Sequence, residues 1–112
     1  MEDILDKLLR IGGVEGALVV GKDGLVIASS GSFSPDPDSF GANIAELINH
    51  FDTMLQVKGG TQKVTVNQDQ GLLQLTAINE VTYLVAQASA NTNVGRLRLE
   101  SDQVASALGE QL

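Results

Sequence analysis

The stretch that decides the fold is Ile11-Gly-Gly-Val-Glu-Gly-Ala-Leu-Val-Val-Gly-Lys-Asp-Gly-Leu-Val-Ile-Ala-Ser29. Its two leading glycines tolerate the left-handed backbone that commonly closes a helix. Two short apolar runs, residues 17–20 and 25–28, then flank an Asp-Gly pair, which is a strong signal for a β-hairpin. The stretch therefore predicts the end of a helix followed by two antiparallel strands, and it carries almost no chemically reactive side chains.

Helical patterns lie on both sides of this hairpin. Residues 2–11 show the i, i+4, i+7 apolar spacing of an amphipathic helix. A loop rich in Gly, Ser and Pro leads to the longest helical signal, residues 39–58, which the two glycines at 59–60 end. Asp36 caps this helix with Pro37 in the first helical position, or Asp38 caps a slightly later start.

The middle helix has an unusually wide apolar side. Its apolar residues fill an arc of roughly 140° on a helical wheel, whereas a helix that covers one side of a small sheet needs only about 100°. The arc consists of Phe40, Ile44, Leu47, Ile48, Phe51, Met54 and Leu55. The excess predicts a second hydrophobic neighbour for this helix.

Three further strands, at residues 61–67, 72–78 and 81–88, and a last helix reaching about residue 111 complete the chain. Because every apolar stripe must be buried, we predict an α/β fold of the α+β type. It consists of one five-stranded antiparallel sheet with helices on both faces, in the order α-β-β-α-β-β-β-α. We expect one domain over residues 1–112, with Gly95 allowing the last helix to approach the sheet closely.

Composition excludes several classes of partner. The 112 residues include 7 Lys and Arg against 14 Asp and Glu, a formal net charge of -7. So acidic a chain repels a phosphate backbone, which argues against nucleic-acid binding. It has neither a basic amphipathic stretch nor an apolar run of about 20 residues, so we expect no membrane insertion. With no cysteine and an acidic start, we expect a soluble, cytoplasmic protein.

No motif predicts catalysis, a cofactor or a metal. His50, the only histidine, has no nucleophile or fixed carboxylate nearby in sequence, so a surface or interface role is favoured over a general base. The Lys22-Asp-Gly24 segment is a hairpin turn and lacks the pattern of a phosphate-binding loop. Arg96 and Arg98 fit ordinary surface charge better than an arginine finger. Scattered carboxylates show no metal-ligand spacing.

Three segments resemble a known family. They are Gly13-Val-Glu-Gly-Ala-Leu-Val-Val20, Asp23-Gly-Leu-Val-Ile-Ala28 and Ala90-Asn-Thr-Asn-Val-Gly-Arg-Leu-Arg98. With their spacing around a long middle helix, they make almost the whole chain resemble the roadblock family of dynein light chains. That family includes bacterial MglB-type partners of Ras-like GTPases. The resemblance implies a roadblock/profilin-like fold and a platform without catalytic residues that binds or regulates a small Ras-like GTPase of the MglA type.

The resemblance also implies a homodimer built by the middle helix and the third strand, with the two sheets joined edge to edge. The residues agree, because an exposed edge strand is either protected or paired with another chain, and pairing about a two-fold axis would cover both surfaces. Lys63 is a counter-argument, since a charge also protects an edge. The predicted interface comprises Leu47, Ile48, Phe51, Met54, Leu55, Lys63, Val64, Thr65 and Val66.

A partner protein has a separate candidate surface. The acidic and polar side of the middle helix offers Glu46, Asn49, Asp52 and Thr53, with a plain solvated helix surface as the alternative. Two other functions stay open: a scaffold subunit of a motor or signalling complex without nucleotide-state preference, and a small-molecule sensor, which would need an enclosed apolar pocket. A heterodimer with a paralogue is equally open.

Overall fold

The computed structural model describes residues 1–56 and 58–112. Its elements are α1 (Glu2–Leu9), β1 (Val14–Gly21), β2 (Val26–Gly31), α2 (Pro37–Leu55), β3 (Lys63–Gln68), β4 (Gly71–Ala77), β5 (Thr82–Ala88) and α3 (Val94–Gly109). This order confirms the predicted one. The predicted middle helix also included residue 57, which lies outside the described residues.

The five strands form one antiparallel sheet in the order β2-β1-β5-β4-β3. The β1–β2 hairpin turns where the Asp-Gly pair predicted it. Gly24 adopts φ +89°, a backbone conformation that favours glycine, and the Asp23 carboxylate accepts a hydrogen bond from the Leu25 amide at 3.0 Å. β2 and β3 are left as the two edges of the sheet.

Both ends of α2 have identifiable causes. Asp36 accepts a hydrogen bond from the Ser39 amide at 2.8 Å and Pro37 opens the helix, which confirms the first of the two predicted starts. The helix ends at Leu55, earlier than predicted. Gln56 takes the left-handed conformation with φ 51° and its amide donates to the Asp52 carbonyl, so the helix closes before the glycines at 59–60.

The helices cover the sheet unequally. On one face, α1 and α3 bury a cluster that includes Leu5, Leu84 and Leu97. On the other face, α2 packs against β1 and β2. Gly41 allows this close approach, because a Cβ at that position would collide with Val26. α2 therefore lies toward the β2 side of the sheet, and the same face of β3 and β4 is only partly covered.

One expectation about α3 is wrong. Gly95 is exposed, and a Cβ added there would meet only the Asn93 side chain, at 3.5 Å. The residue lies in the first turn of α3, on a side that does not contact the sheet, and nothing in the structure explains why it is glycine. Asn93 caps the helix by accepting a hydrogen bond from the Arg96 amide at 3.0 Å.

Candidate interaction surface

The β3 edge is regular and unpaired on its outer side. It pairs with β4 in one register, from Lys63 opposite Thr76 to Gln68 opposite Gly71. Just before the strand, the Gln62 carbonyl accepts a hydrogen bond from the Ala77 amide at 2.8 Å. Since the bonds of an antiparallel pair alternate, the amides and carbonyls of residues 63, 65 and 67 point away from β4. No other strand of the described chain pairs with them.

Apolar surface adjoins this edge. The last turns of α2 and the beginning of β3 enclose an open cleft of about 530 Å³, lined by Phe51, Asp52, Leu55, Gly60, Thr61, Gln62, Lys63 and Val64. Met54 and Leu55 are 60% and 61% exposed, among the most exposed large apolar side chains of the described chain. Contiguous apolar exposure of this kind marks interaction sites. We call residues 51–55 and 63–68 together the α2–β3 surface.

The predicted dimer residues divide by burial. Most are exposed or partly buried, namely Leu47, Phe51, Met54, Leu55, Lys63, Val64, Thr65 and Val66. Ile48 is instead fully buried within the subunit, in the cluster that α2 forms with Leu18 and Tyr83. It faces the sheet and supports the α2–β3 surface from beneath, so this subunit offers no surface of Ile48 for pairing. Lys63 forms an ion pair with Asp102 of α3, with 2.9 Å between Nζ and Oδ2.

The four residues predicted to bind a partner also divide. Glu46 and Thr53 are exposed on α2. The Asn49 side chain donates to the Lys22 carbonyl at 2.9 Å, and the Asp52 carboxylate is bound within the chain. Partner binding by this face stays a prediction, and Asn49 is exposed as well although its side chain is bonded within the chain.

Asp52 belongs to a polar network that the sequence did not reveal. Its Oδ2 lies 2.6 Å from Lys22 Nζ, while its Oδ1 accepts hydrogen bonds from the Thr61 amide at 2.7 Å and the Thr61 hydroxyl at 2.6 Å. The Tyr83 hydroxyl donates to the Thr61 carbonyl. These partners are 9 to 30 positions apart in sequence, so no local pattern signals the network.

The network changes the titration of its members. The hydrogen bond from Lys22, followed by those from Thr61, lowers the pKa of Asp52 to about 2. The same bond to Asp52 raises the pKa of Lys22. Burial raises the pKa of Tyr83. All three groups therefore keep their usual charge at neutral pH, so the carboxylate and ammonium attract each other and the phenol remains a hydrogen-bond donor.

The other candidate residues occupy the surface. His50 is exposed on α2, and Asp38 is exposed near its start. Arg96 lies 3.9 Å from Glu100 one turn along α3, and Arg98 is exposed. Within residues 1–56 and 58–112, no three acidic or histidine side chains converge as a metal site would require. In the same ranges, no helix has the length and hydrophobicity to cross a bilayer.

The five-stranded antiparallel sheet with helices on both faces defines a class of small α+β domain. The chain belongs to the Roadblock/LC7 domain family, whose model matches residues 1–88. A search of curated proteins found no match to the sequence.

Solved structures share the fold. An MglB with tetrameric arrangement superposes with a TM-score of 0.87 at 21% identity, over 97% of this chain and 85% of that one. A Roadblock/LC7 domain from Streptomyces avermitilis superposes with a TM-score of 0.87 at 19% identity, over 99% of this chain and 96% of that one. Schizosaccharomyces pombe profilin superposes with a TM-score of 0.59 at 18% identity, over 96% of this chain and 92% of that one. These similarities confirm the roadblock/profilin-like fold.

Proposed function

We propose that this chain is a non-enzymatic, homodimeric module that binds and regulates a small Ras-like GTPase. The observation that carries the proposal is the α2–β3 surface, where a regular unpaired strand lies beside exposed Met54 and Leu55. Membership of the Roadblock/LC7 family and the resemblance to MglB-type partners of Ras-like GTPases support the GTPase as partner. The MglB structure with a tetrameric arrangement is an example of self-assembly in this fold.

The geometry of one sheet edge supports the proposed dimer. Two copies of β3 that pair about a two-fold axis would satisfy the outward amides and carbonyls of residues 63, 65 and 67. The same axis would bring the exposed ends of both α2 helices together and remove Leu55 from water. Fully burying one such leucine contributes about 1.5–3 kcal/mol.

The GTPase would bind the polar side of α2, which the dimer presents twice. Glu46, Asn49 and Thr53 are exposed on that side, and of these Asn49 already bonds to the Lys22 carbonyl. The net charge of -7 favours a partner with a basic patch, which would also speed association at low salt. In this proposal the protein is cytoplasmic and contributes no catalytic residue to GTP hydrolysis.

The test has two arms. Sedimentation velocity at tens of micromolar should give the mass of a dimer, and a monomer at that concentration would contradict the homodimer. The purified protein is then titrated with a cognate GTPase loaded with GDP or with a non-hydrolysable GTP analogue. Binding to one state in preference to the other supports regulation, equal binding favours a scaffold, and binding to neither removes the GTPase role.

A further inference from the structure

The polar network around Asp52 joins three parts of the chain at one point. Lys22 belongs to the β1–β2 turn, Asp52 to the last turns of α2, and Thr61 to the loop that enters β3. Tyr83 anchors the same loop from the central strand β5. We call Lys22, Asp52, Thr61 and Tyr83 the Asp52 clamp.

The clamp is well satisfied and mostly covered. The side chains of Lys22 and Asp52 are 28% and 20% exposed, and both carboxylate oxygens already accept hydrogen bonds of 2.6–2.7 Å. Charge-assisted bonds of this length are about twice as strong as neutral ones. Gly60 leaves the room that the clamp needs, because a Cβ there would lie 3.3 Å from Asp52 Oδ2 and 3.4 Å from Lys22 Nζ.

The clamp lies where the α2–β3 surface needs a fixed geometry. Thr61 precedes β3 by two residues, and the Gln62 carbonyl between them makes the hydrogen bond that starts the β3–β4 ladder. α2 packs against β1 and β2, which lie three and four positions from β3 in the sheet. The hydrogen bonds that Asp52 accepts from Thr61 therefore set where β3 begins relative to the exposed end of α2.

We infer that Asp52 is a positioning residue for self-association: held by Lys22 and Thr61, it keeps the end of α2 and the start of β3 in the one arrangement that a second copy can pair with. The inference rests on the proposed homodimer. It gives Asp52 a role within its own chain, in place of a direct contact with a GTPase.

The test compares Asp52→Asn with a matched control, Asp102→Asn. Both variants remove one negative charge from an ion pair, but the Lys63–Asp102 pair is more exposed, at 52% and 43%, and links β3 to α3 instead of α2. The dimer dissociation constant is measured by sedimentation, and amide hydrogen exchange is followed along β3 and β1 in the same samples.

We expect Asp52→Asn to raise the dimer dissociation constant by about tenfold or more, as for loss of a charged hydrogen bond. Exchange should quicken at residues 61–65 and stay unchanged in β1. Asp102→Asn should change the dissociation constant by less than about twofold, because exposed pairs contribute little. Lys22→Arg, which keeps the ion pair, should behave like the wild type.

Several outcomes would overturn the inference. One is Asp52→Asn dimerising as tightly as the wild type with unchanged β3 exchange. Another is normal dimerisation with lost GTPase binding, which would make Asp52 a partner contact. If the amides of Asp52→Asn exchange rapidly throughout the sheet, the variant is unfolding and Thr61→Val, which removes only the hydroxyl bond to Asp52, is measured in its place. Faster amide exchange in β3 of Thr61→Val supports the clamp, and unchanged exchange overturns the inference. If the wild type is a monomer, the proposed homodimer and this inference both fail. If the wild type is a dimer and Asp52→Asn leaves its dissociation constant unchanged, only the inference fails.

Discussion

The two edge strands of the sheet are built differently. The pairing of β2 with β1 shifts register between Val19 and Val20, and β2 ends at Gly31, which has φ +85°. The Ser30 hydroxyl also donates to Asp6 of α1. β3 has no such interruption over its six residues. Bulges and irregular ends protect an edge from added strands, so β3 is the edge suited to pair with another chain.

The largest effect should come from proline at the outer side of β3. The Thr65 amide points away from β4, so Thr65→Pro keeps the β3–β4 bonds and removes one that a second copy would use. We expect the dimer dissociation constant to rise by about 100-fold or more, because the two-fold axis repeats the loss in both copies and each partner left unsatisfied costs about 1–3 kcal/mol. Sedimentation velocity measures the change.

Its control is Ser29→Pro at the other edge. The Ser32 amide bonds to the Glu15 carbonyl, so by alternation the Ser29 amide points away from β1. This variant should dimerise like the wild type. Equal weakening by both prolines would mean that the two edges do not differ as proposed. Circular dichroism checks that each variant keeps its secondary structure.

A smaller effect is expected from a charge on the apolar side of the α2–β3 surface. Leu55→Asp should weaken the dimer by about 10- to 100-fold, because it removes a leucine that would contribute about 1.5–3 kcal/mol when buried. Leu99→Asp on α3 is the matched control, since Leu99 is 60% exposed and Leu55 61%. A dissociation constant that responds equally to both substitutions would show that α2 has no special part in assembly.

The smallest effect concerns acid stability. The folded pKa of Asp52, about 2, lies below the ordinary value of 3.8, so its carboxylate stabilises the folded state above about pH 4. This contribution, about 1–2 kcal/mol for a partly exposed pair, should be lost as the pH falls from about 4 to 2. Urea unfolding at pH 5, 3 and 2 measures it. The free energy of unfolding of Asp52→Asn should fall less over this pH range than that of the wild type. An equal fall in both proteins would mean that other carboxylates cause the loss of stability.

Patterns that depend on neighbours in sequence predicted most of the fold. The Asp-Gly turn, the helical spacings and the Asp36 cap each depend on residues within about four positions, and the structure confirms them. The end of α2 was predicted too late, because a left-handed Gln56 closes the helix and no residue there announces it. Glycine is the usual signal, and the glycines follow only at 59–60.

The site was harder to predict because its partners are distant in sequence. The wide apolar arc of α2 indicated extra hydrophobic surface, but a helical wheel does not show where the sheet lies. Ile48 therefore joined the predicted interface although it faces the core. Asp52 looked like a free acid on a polar face, whereas Lys22 and Thr61 bind it from 30 and 9 positions away.

Gly41 has a consequence for how such a surface can evolve. Its missing side chain lets α2 sit toward β2, which leaves β3 and β4 only partly covered on that face. Because a Cβ there would collide with Val26 of β2, we expect a bulkier residue to push α2 away from β2 and toward β3. The helix would then cover part of the α2–β3 surface that two copies would share. A single substitution at a position that makes no contact between chains would then convert the proposed dimer into a monomer.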